Sequence, residues 1–168
     1  MGLFDLMKPQ QKAQVVCITS MLPAVAKQEI MNGRLPILKT SKIFLKSGET
    51  CHFMDRAIYE KQVVKKRYVS NGGSYSMPGI FKGTRISVRK GNVQPVEETY
   101  YEQNKGTLYI TNKRIIFVSQ QNGFDKKIGN IVAVTPFRNC VELQFSKGVY
   151  RVFVPDGNVV YAVLQQLN

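Results

Sequence analysis

The sequence predicts a mostly β domain that begins with short helices and ends with one more helix. Short apolar segments recur after residue 106, and glycine, asparagine or proline separates each from the next. Residues 52–69 contain many aromatic and β-branched side chains and neither glycine nor proline, as strands do. The last twelve residues repeat their apolar positions with the period of a helix.

The first 34 residues are expected to be helical. Residues 10–21 contain no glycine and follow Pro9, which suits the first turn of a helix. Pro23 permits a second short helix over residues 24–31, which Asn32 and Gly33 would end. We therefore divide the chain into an N-terminal helical appendage, residues 1–38, and a β domain, residues 39–168.

The β domain is expected to contain a clear hairpin followed by short strands. Residues 107–110 and 115–119 are apolar, and the turn-forming residues 111–114 lie between them. Asp156 is a suitable N-cap for the terminal helix, whose apolar stripe suits docking on a sheet. The remaining expected strands are residues 52–69 (as one strand or two), 84–90, 97–103, 124–128, 131–136, 140–146 and 149–154, and residues 72–83 are expected to be rich in loops.

Positive charge is the strongest functional signal. Lysine and arginine number 24 against 11 aspartate and glutamate residues, a net charge of +13, which favours anionic partners. Eight basic residues and no acidic one lie between residues 61 and 96, with Tyr68 and Tyr75 among them. They form a candidate anion-binding site, or alternatively the solvated outer face of a sheet. These residues are Lys61, Lys65, Lys66, Arg67, Lys82, Arg85, Arg89 and Lys90.

One segment resembles a known family. Residues 106–117, GTLYITNKRIIF, are similar to the core motif of bacterial pleckstrin-homology-like and GRAM-like domains, and residues 45–49, LKSGE, resemble the opening of such domains. The likeness covers about residues 43–167. It departs from the eukaryotic pattern because the chain has no tryptophan. The motif residues are Gly106, Thr111, Asn112, Arg114 and Phe117.

The resemblance implies a bent antiparallel barrel that the C-terminal helix closes at one end. It also implies a binding module without catalytic activity. Such a barrel would be complete without residues 1–34, so we expect those residues to form a separable appendage that covers an outer sheet face or a partner.

Enzymatic and metal chemistry have little support. The chain has one histidine, and the adjacent Cys51 and His52 would point to opposite faces of a strand. Zinc sites usually need paired ligands, so we expect no metal and no cofactor. Cys17, Cys51 and Cys140 are odd in number and widely spaced, as reduced thiols of a cytoplasmic protein would be.

The sequence thus predicts a non-enzymatic module that engages an anionic partner, either an acidic protein surface or lipid headgroups. The alternative is a nucleic-acid-binding or nucleoprotein-inhibiting protein, with a phage or mobile element as one source. No apolar run reaches the 18–20 residues that span a bilayer, so we expect a cytoplasmic protein.

Overall fold

The computed structural model describes residues 17–72, 74–78, 85–89 and 91–168. These residues form two compact units. The first contains residues 17–60 and 103–168, and the second is Lys61–Glu102. The elements are α1 (Ala24–Met31), β1 (Cys51–Asn71), β2 (Ser74–Pro78), β3 (Arg85–Arg89), β4 (Asn92–Thr111), β5 (Arg114–Ser119), β6 (Phe124–Lys127), a 3₁₀ turn (Ile128–Asn130), β7 (Ile131–Pro136), β8 (Cys140–Phe145), β9 (Gly148–Phe153) and α2 (Gly157–Leu167).

A seven-stranded antiparallel sheet forms most of the first unit, which confirms the mostly β prediction. Its strand order is β6-β5-β4-β1-β9-β8-β7. Hairpins join β4 to β5 and β8 to β9, and Ile58 of β1 lies opposite Phe153 of β9. In the described part of the chain, β6 and β7 are the edges of the sheet and do not pair with each other. The 3₁₀ turn between them replaces a tight hairpin, so the sheet is open where a closed barrel was expected.

The core lies between one face of this sheet and α2. Leu108 and Ile110 of β4 belong to this core, whereas Tyr109 between them is buried in a smaller cluster on the opposite face of the sheet. The helix contributes four buried side chains, Val159, Val160, Val163 and Leu164. Asp156 caps it by accepting a hydrogen bond from the Asn158 N–H at 3.0 Å, so the predicted N-cap is confirmed.

The first predicted helix is wrong over residues 17–21. These residues have no regular structure, and residues 10–16 lie outside the described part. A tertiary contact explains the difference. The Ser20 hydroxyl and the Met21 N–H both donate to the buried Asp55 carboxylate, at 2.6 and 2.7 Å. A helix would direct the Met21 N–H to the carbonyl four residues earlier instead.

The second predicted helix is confirmed as α1, including its end. Gly33 has φ +78° and donates its N–H to the Ile30 carbonyl. The Arg34 N–H donates to the Glu29 carbonyl at 2.9 Å, which completes a Schellman motif. Glycine is favoured at this position because a β-carbon is strained at positive φ.

Helix α1 packs against α2 within the first unit. Ile30 is 1% exposed and belongs to the main core, and its carbonyl accepts a hydrogen bond from Gln166 at 3.0 Å. Lys27 forms an ion pair with Asp156 at 3.0 Å. The appendage boundary at residue 38 stays a prediction.

The second unit contains the outer halves of β1 and β4 together with the β2–β3 hairpin. In that hairpin Ser74 lies opposite Arg89 and Pro78 opposite Arg85. The predicted strand 84–90 is therefore confirmed as β3, whereas β2 occupies residues that were expected to form loops.

Residues 97–103 and 107–110 belong to one strand, β4, where two strands were expected. β4 continues through Gly106, where its backbone lies very close to β5. A β-carbon at this position would lie 2.1 Å from the Val118 carbonyl oxygen, so any larger residue would push β5 away.

Replacing Ile30 tests how much α1 contributes to the first unit. Truncating a buried isoleucine removes apolar burial and leaves a cavity, so Ile30→Ala should lower the free energy of unfolding by about 2–5 kcal/mol. Val25→Ala is the matched control, because Val25 is on the same helix but 71% exposed, and it should change stability by less than about 0.5 kcal/mol. Urea denaturation measures both. Equal small effects would show that α1 is separable from the core.

Candidate functional site

A polar cluster around the buried Glu49 connects the two segments that carry the family resemblance. We call Glu49, Thr111, Asn112, Arg114 and Asp125 the motif cluster. The Glu49 side chain is fully buried and that of Arg114 is 13% exposed. Arg114 donates to both carboxylate oxygens of Glu49, from Nε at 2.7 Å and from Nη2 at 3.2 Å. This bidentate pairing fixes the direction of both side chains.

Arg114 also holds two other parts of the first unit. Its Nη2 donates to the Phe44 carbonyl at 2.6 Å, and its Nη1 donates to Asp125 of β6 at 2.5 Å. One guanidinium therefore joins the segment before β1, the β4–β5 turn and the edge strand β6.

Thr111 and Asn112 shape the turn itself. The Thr111 hydroxyl donates to Glu49 at 2.6 Å and accepts from the N–H groups of Lys113 and Arg114. The Asn112 side chain donates to the Gly48 carbonyl and accepts from the Thr50 N–H, both at 3.0 Å. These contacts give the predicted motif residues a structural role, and Phe117 is buried in the core.

The motif cluster lowers the pKa of Glu49 from 4.5 to about 2. Burial disfavours the carboxylate and raises the pKa, but hydrogen bonds from Arg114, the Lys46 N–H and Thr111 outweigh that effect. Glu49 is therefore ionised at neutral pH.

The structure brings four of the eight predicted anion-binding residues onto one exposed strand. Lys61, Lys65, Lys66 and Arg67 follow each other along β1 in the second unit, and all four are exposed. Arg85 and Arg89 begin and end β3, and their side chains lie outside the described part of the chain, as does that of Tyr75. Lys82 and Lys90 are not among the described residues.

We call residues 61–71 of β1 and 92–102 of β4 the basic ribbon. Its basic side chains face partners on β4. Lys66 pairs with Glu97 at 3.8 Å, and Arg67 pairs with Glu98 at 3.7 Å. The Lys65 ammonium lies 4.9 Å from the centre of the Tyr100 ring. Sequence analysis treated the segment with these glutamates as a candidate strand and did not identify the ion pairs.

Apolar side chains are exposed on both faces of the basic ribbon. The exposed fractions are 50% for Val64, 69% for Tyr68, 44% for Val96 and 55% for Tyr101. Strand alternation places Val64, Lys66 and Tyr68 on one face, and Lys65 and Arg67 on the other. Sequence reasoning singled out only Tyr68 of these four, because the pattern of a strand does not show which of its faces remains uncovered.

The cysteines and the histidine do not meet as a catalytic pair in the described residues. His52 donates from Nδ1 to the Pro36 carbonyl at 2.8 Å, and the Cys51 thiol donates to the Phe53 carbonyl. Burial raises the pKa of both Cys51 and Cys140 to about 11, so both thiols are protonated at neutral pH and are poor nucleophiles.

Comparison with known proteins adds no family. A scan against protein-family models, a search of curated proteins and a search of solved structures each found no match. Among residues 17–168 as far as they are described, no three histidine, cysteine or acidic side chains are grouped to hold a metal ion. No described helix has the length and apolar character needed to cross a membrane.

Acid should destabilise the protein through Glu49. Because the folded-state pKa lies below the ordinary value, the stabilisation is present above pH 4.5 and is lost as the pH falls towards 2. This lowering of the Glu49 pKa corresponds to about 3 kcal/mol in the free energy of unfolding. Glu49→Gln should reduce this acid-dependent loss and should lower stability at pH 7 by about 3–5 kcal/mol, because Arg114 then loses its buried partner.

Glu142→Gln is the control for that variant. Glu142 pairs with Arg151 at 2.7 Å, but the two side chains are 26% and 48% exposed, so its replacement should cost less than about 1 kcal/mol. Chemical denaturation between pH 2 and pH 7 compares the three proteins. An acid-dependent loss in Glu49→Gln equal to that of the unmodified protein would exclude Glu49 as its source.

Proposed function

We propose that the chain is a non-enzymatic binding module of pleckstrin-homology-like fold that engages an anionic partner through the basic ribbon. Three features of the first unit support the fold. They are the seven-stranded antiparallel sheet, the terminal helix that packs against it, and the motif cluster where the resemblance is strongest. The proposed partner is a lipid surface or an acidic protein surface.

The observation that carries this proposal is the row of four exposed basic side chains along β1, Lys61, Lys65, Lys66 and Arg67. Lys61–Glu102 contains eight basic residues and three acidic ones. Two of those acidic residues form ion pairs at 3.7–3.8 Å, Glu97 with Lys66 and Glu98 with Arg67. All four side chains are more than half exposed. Such ion pairs stabilise little in water, so an incoming phosphate or carboxylate can compete for the cations.

The exposed apolar residues favour a lipid surface over an acidic protein. Tyrosine suits the boundary between headgroups and acyl chains, and lysine stems pack along apolar surface while their ammonium groups reach phosphate. Tyr68, Val64 and Lys66 share a face and provide this combination. An anionic bilayer would cover side chains that the described part of the second unit leaves exposed.

A second candidate partner is nucleic acid, and the shape of the ribbon favours it. The major groove of DNA admits a two-stranded β-ribbon, and several DNA-binding proteins read a groove with strands. Lysine and arginine would contact phosphates, while Tyr68 and Tyr101 could stack on unpaired bases.

Vesicle flotation at low salt tests the lipid proposal. The protein should float with vesicles of phosphatidylcholine and phosphatidylserine and remain unbound with phosphatidylcholine alone. A ribbon variant with Lys61, Lys65, Lys66 and Arg67 changed to glutamine should bind at least about tenfold more weakly, since each basic residue near an anionic surface contributes about 1 kcal/mol.

The matched control removes the same charge from the first unit. Lys39, Lys127, Arg138 and Lys147 are all exposed, and their replacement by glutamine should weaken binding less than about threefold. Equal binding to both kinds of vesicle, or equal losses in the two variants, would contradict the proposal.

Fluorescence anisotropy with labelled duplex and single-stranded DNA tests the nucleic-acid alternative. If the ribbon contacts phosphates, the logarithm of the affinity should fall linearly with the logarithm of the salt concentration, and the ribbon variant should have a shallower slope. Binding that does not change with salt would exclude phosphate contacts.

A further inference from the structure

A cleft of about 630 Å³ is lined by residues of the first unit. Residues 103–107 and Tyr109 of β4, residues 118–121 around the end of β5, and Lys42 line it. Leu108 and Ile110 face the main core, so strand alternation places Thr107 and Tyr109 on the opposite face of the sheet. The cleft is therefore separate from the core beneath α2.

The charge of this cleft is positive. Its lysines are Lys42 and Lys105, both exposed, and no aspartate or glutamate of the described residues lines it. The other polar side chains that line it are amides and hydroxyls, which donate and accept hydrogen bonds without charge. This combination suits a small molecule that has one anionic group and several neutral polar groups.

The walls of the cleft are held in place before any ligand binds. Gly106 lies so close to β5 that a β-carbon would be 2.1 Å from the Val118 carbonyl oxygen. At the turn after β5, the Ser119 hydroxyl donates to the Asn122 carbonyl at 2.6 Å, and the Asn122 side chain donates to that of Asn104 at 3.1 Å. A fixed site loses little conformational entropy on binding.

Tyr109 contributes a hydroxyl that the described residues leave without a hydrogen bond. This residue lines the cleft, is fully buried, and packs with Ile43, Cys51 and Ile116. A buried hydroxyl without a partner carries a desolvation penalty, and phenylalanine would fill the same space without it. The hydroxyl is enclosed by this packing, so Tyr109 forms a rigid floor of the cleft and offers no exposed donor.

We propose that this cleft binds a sugar-phosphate-sized anion. Lys42 and Lys105 hold the phosphate, and the neighbouring amides bind the hydroxyl groups. The volume is within the range of small-molecule sites, and lysine is a common phosphate ligand. The site goes beyond the proposed function, because it belongs to a different unit and its ligand is a soluble small molecule.

Isothermal titration calorimetry with glucose 6-phosphate tests the proposal on the full chain. Saturable binding is expected, with glucose and inorganic phosphate each at least tenfold weaker because each provides only part of the contacts. The double variant K42Q and K105Q should lose at least tenfold in affinity. A double variant K39Q and K127Q, which removes the same charge from the same unit, should lose less than threefold.

Tyr109→Phe separates recognition from folding. It removes a hydroxyl that is not exposed to the cleft, so it should change glucose 6-phosphate affinity less than about twofold while the melting temperature stays equal or rises. The ribbon variant should retain full affinity for glucose 6-phosphate. A negative vesicle test would therefore contradict only the proposed function, and a negative titration would contradict only the cleft. Absence of saturable binding, equal binding of glucose, or full affinity in K42Q and K105Q would overturn the proposal.

Discussion

The buried pairing of Glu49 with Arg114 is the interaction on which the arrangement of the first unit depends. Burying an ion pair usually costs free energy unless its remaining hydrogen-bonding groups are satisfied. Here the carboxylate also accepts from Thr111 and from the Lys46 N–H, and Arg114 reaches Asp125 and the Phe44 carbonyl. The pair thus fixes the entry into β1, the β4–β5 turn and β6 relative to one another. Every strand of the sheet is then positioned outward from β1 and β4, which lie near its centre.

Those two central strands also provide the basic ribbon. In β1 the side chains of Ala57, Ile58 and Tyr59 are buried, whereas most of those from Lys61 to Tyr68 are exposed. An isolated two-stranded hairpin is marginally stable in water. Continuity with a sheet whose other face carries the main core anchors the inner ends of both strands, so the exposed residues need no core of their own.

Features that depend on residues close together in the sequence were predicted, and features that depend on residues far apart were not. The β4–β5 hairpin, the Asn32–Gly33 helix end and the Asp156 cap depend on neighbouring residues, and all three were predicted. The helix predicted over residues 17–21 was wrong because the Met21 N–H donates to the carboxylate of Asp55, 34 residues away. A helix would use that N–H for its own backbone hydrogen bond. The two motif segments were identified separately, but the chain pattern could not show that Glu49 contacts Arg114. Likewise, the charges of the ribbon were visible in the sequence, whereas its exposed valines and tyrosines, the ion pairs and the carboxylate-free cleft arise only from the fold.

The two proposed anion sites differ in the physics of recognition. On the basic ribbon, cations are exposed and already lie beside Glu97, Glu98 or the Tyr100 ring, so an anionic partner exchanges one weak contact for another. Affinity there comes from many such exchanges over an extended surface and is sensitive to salt screening. In the cleft, two lysines face no carboxylate among the lining residues, and neutral amides stand beside them. Recognition there depends on shape and hydrogen bonding, which dissolved ions screen much less. The two proposals therefore predict different responses to salt, a steep loss of binding at the ribbon and a small one at the cleft.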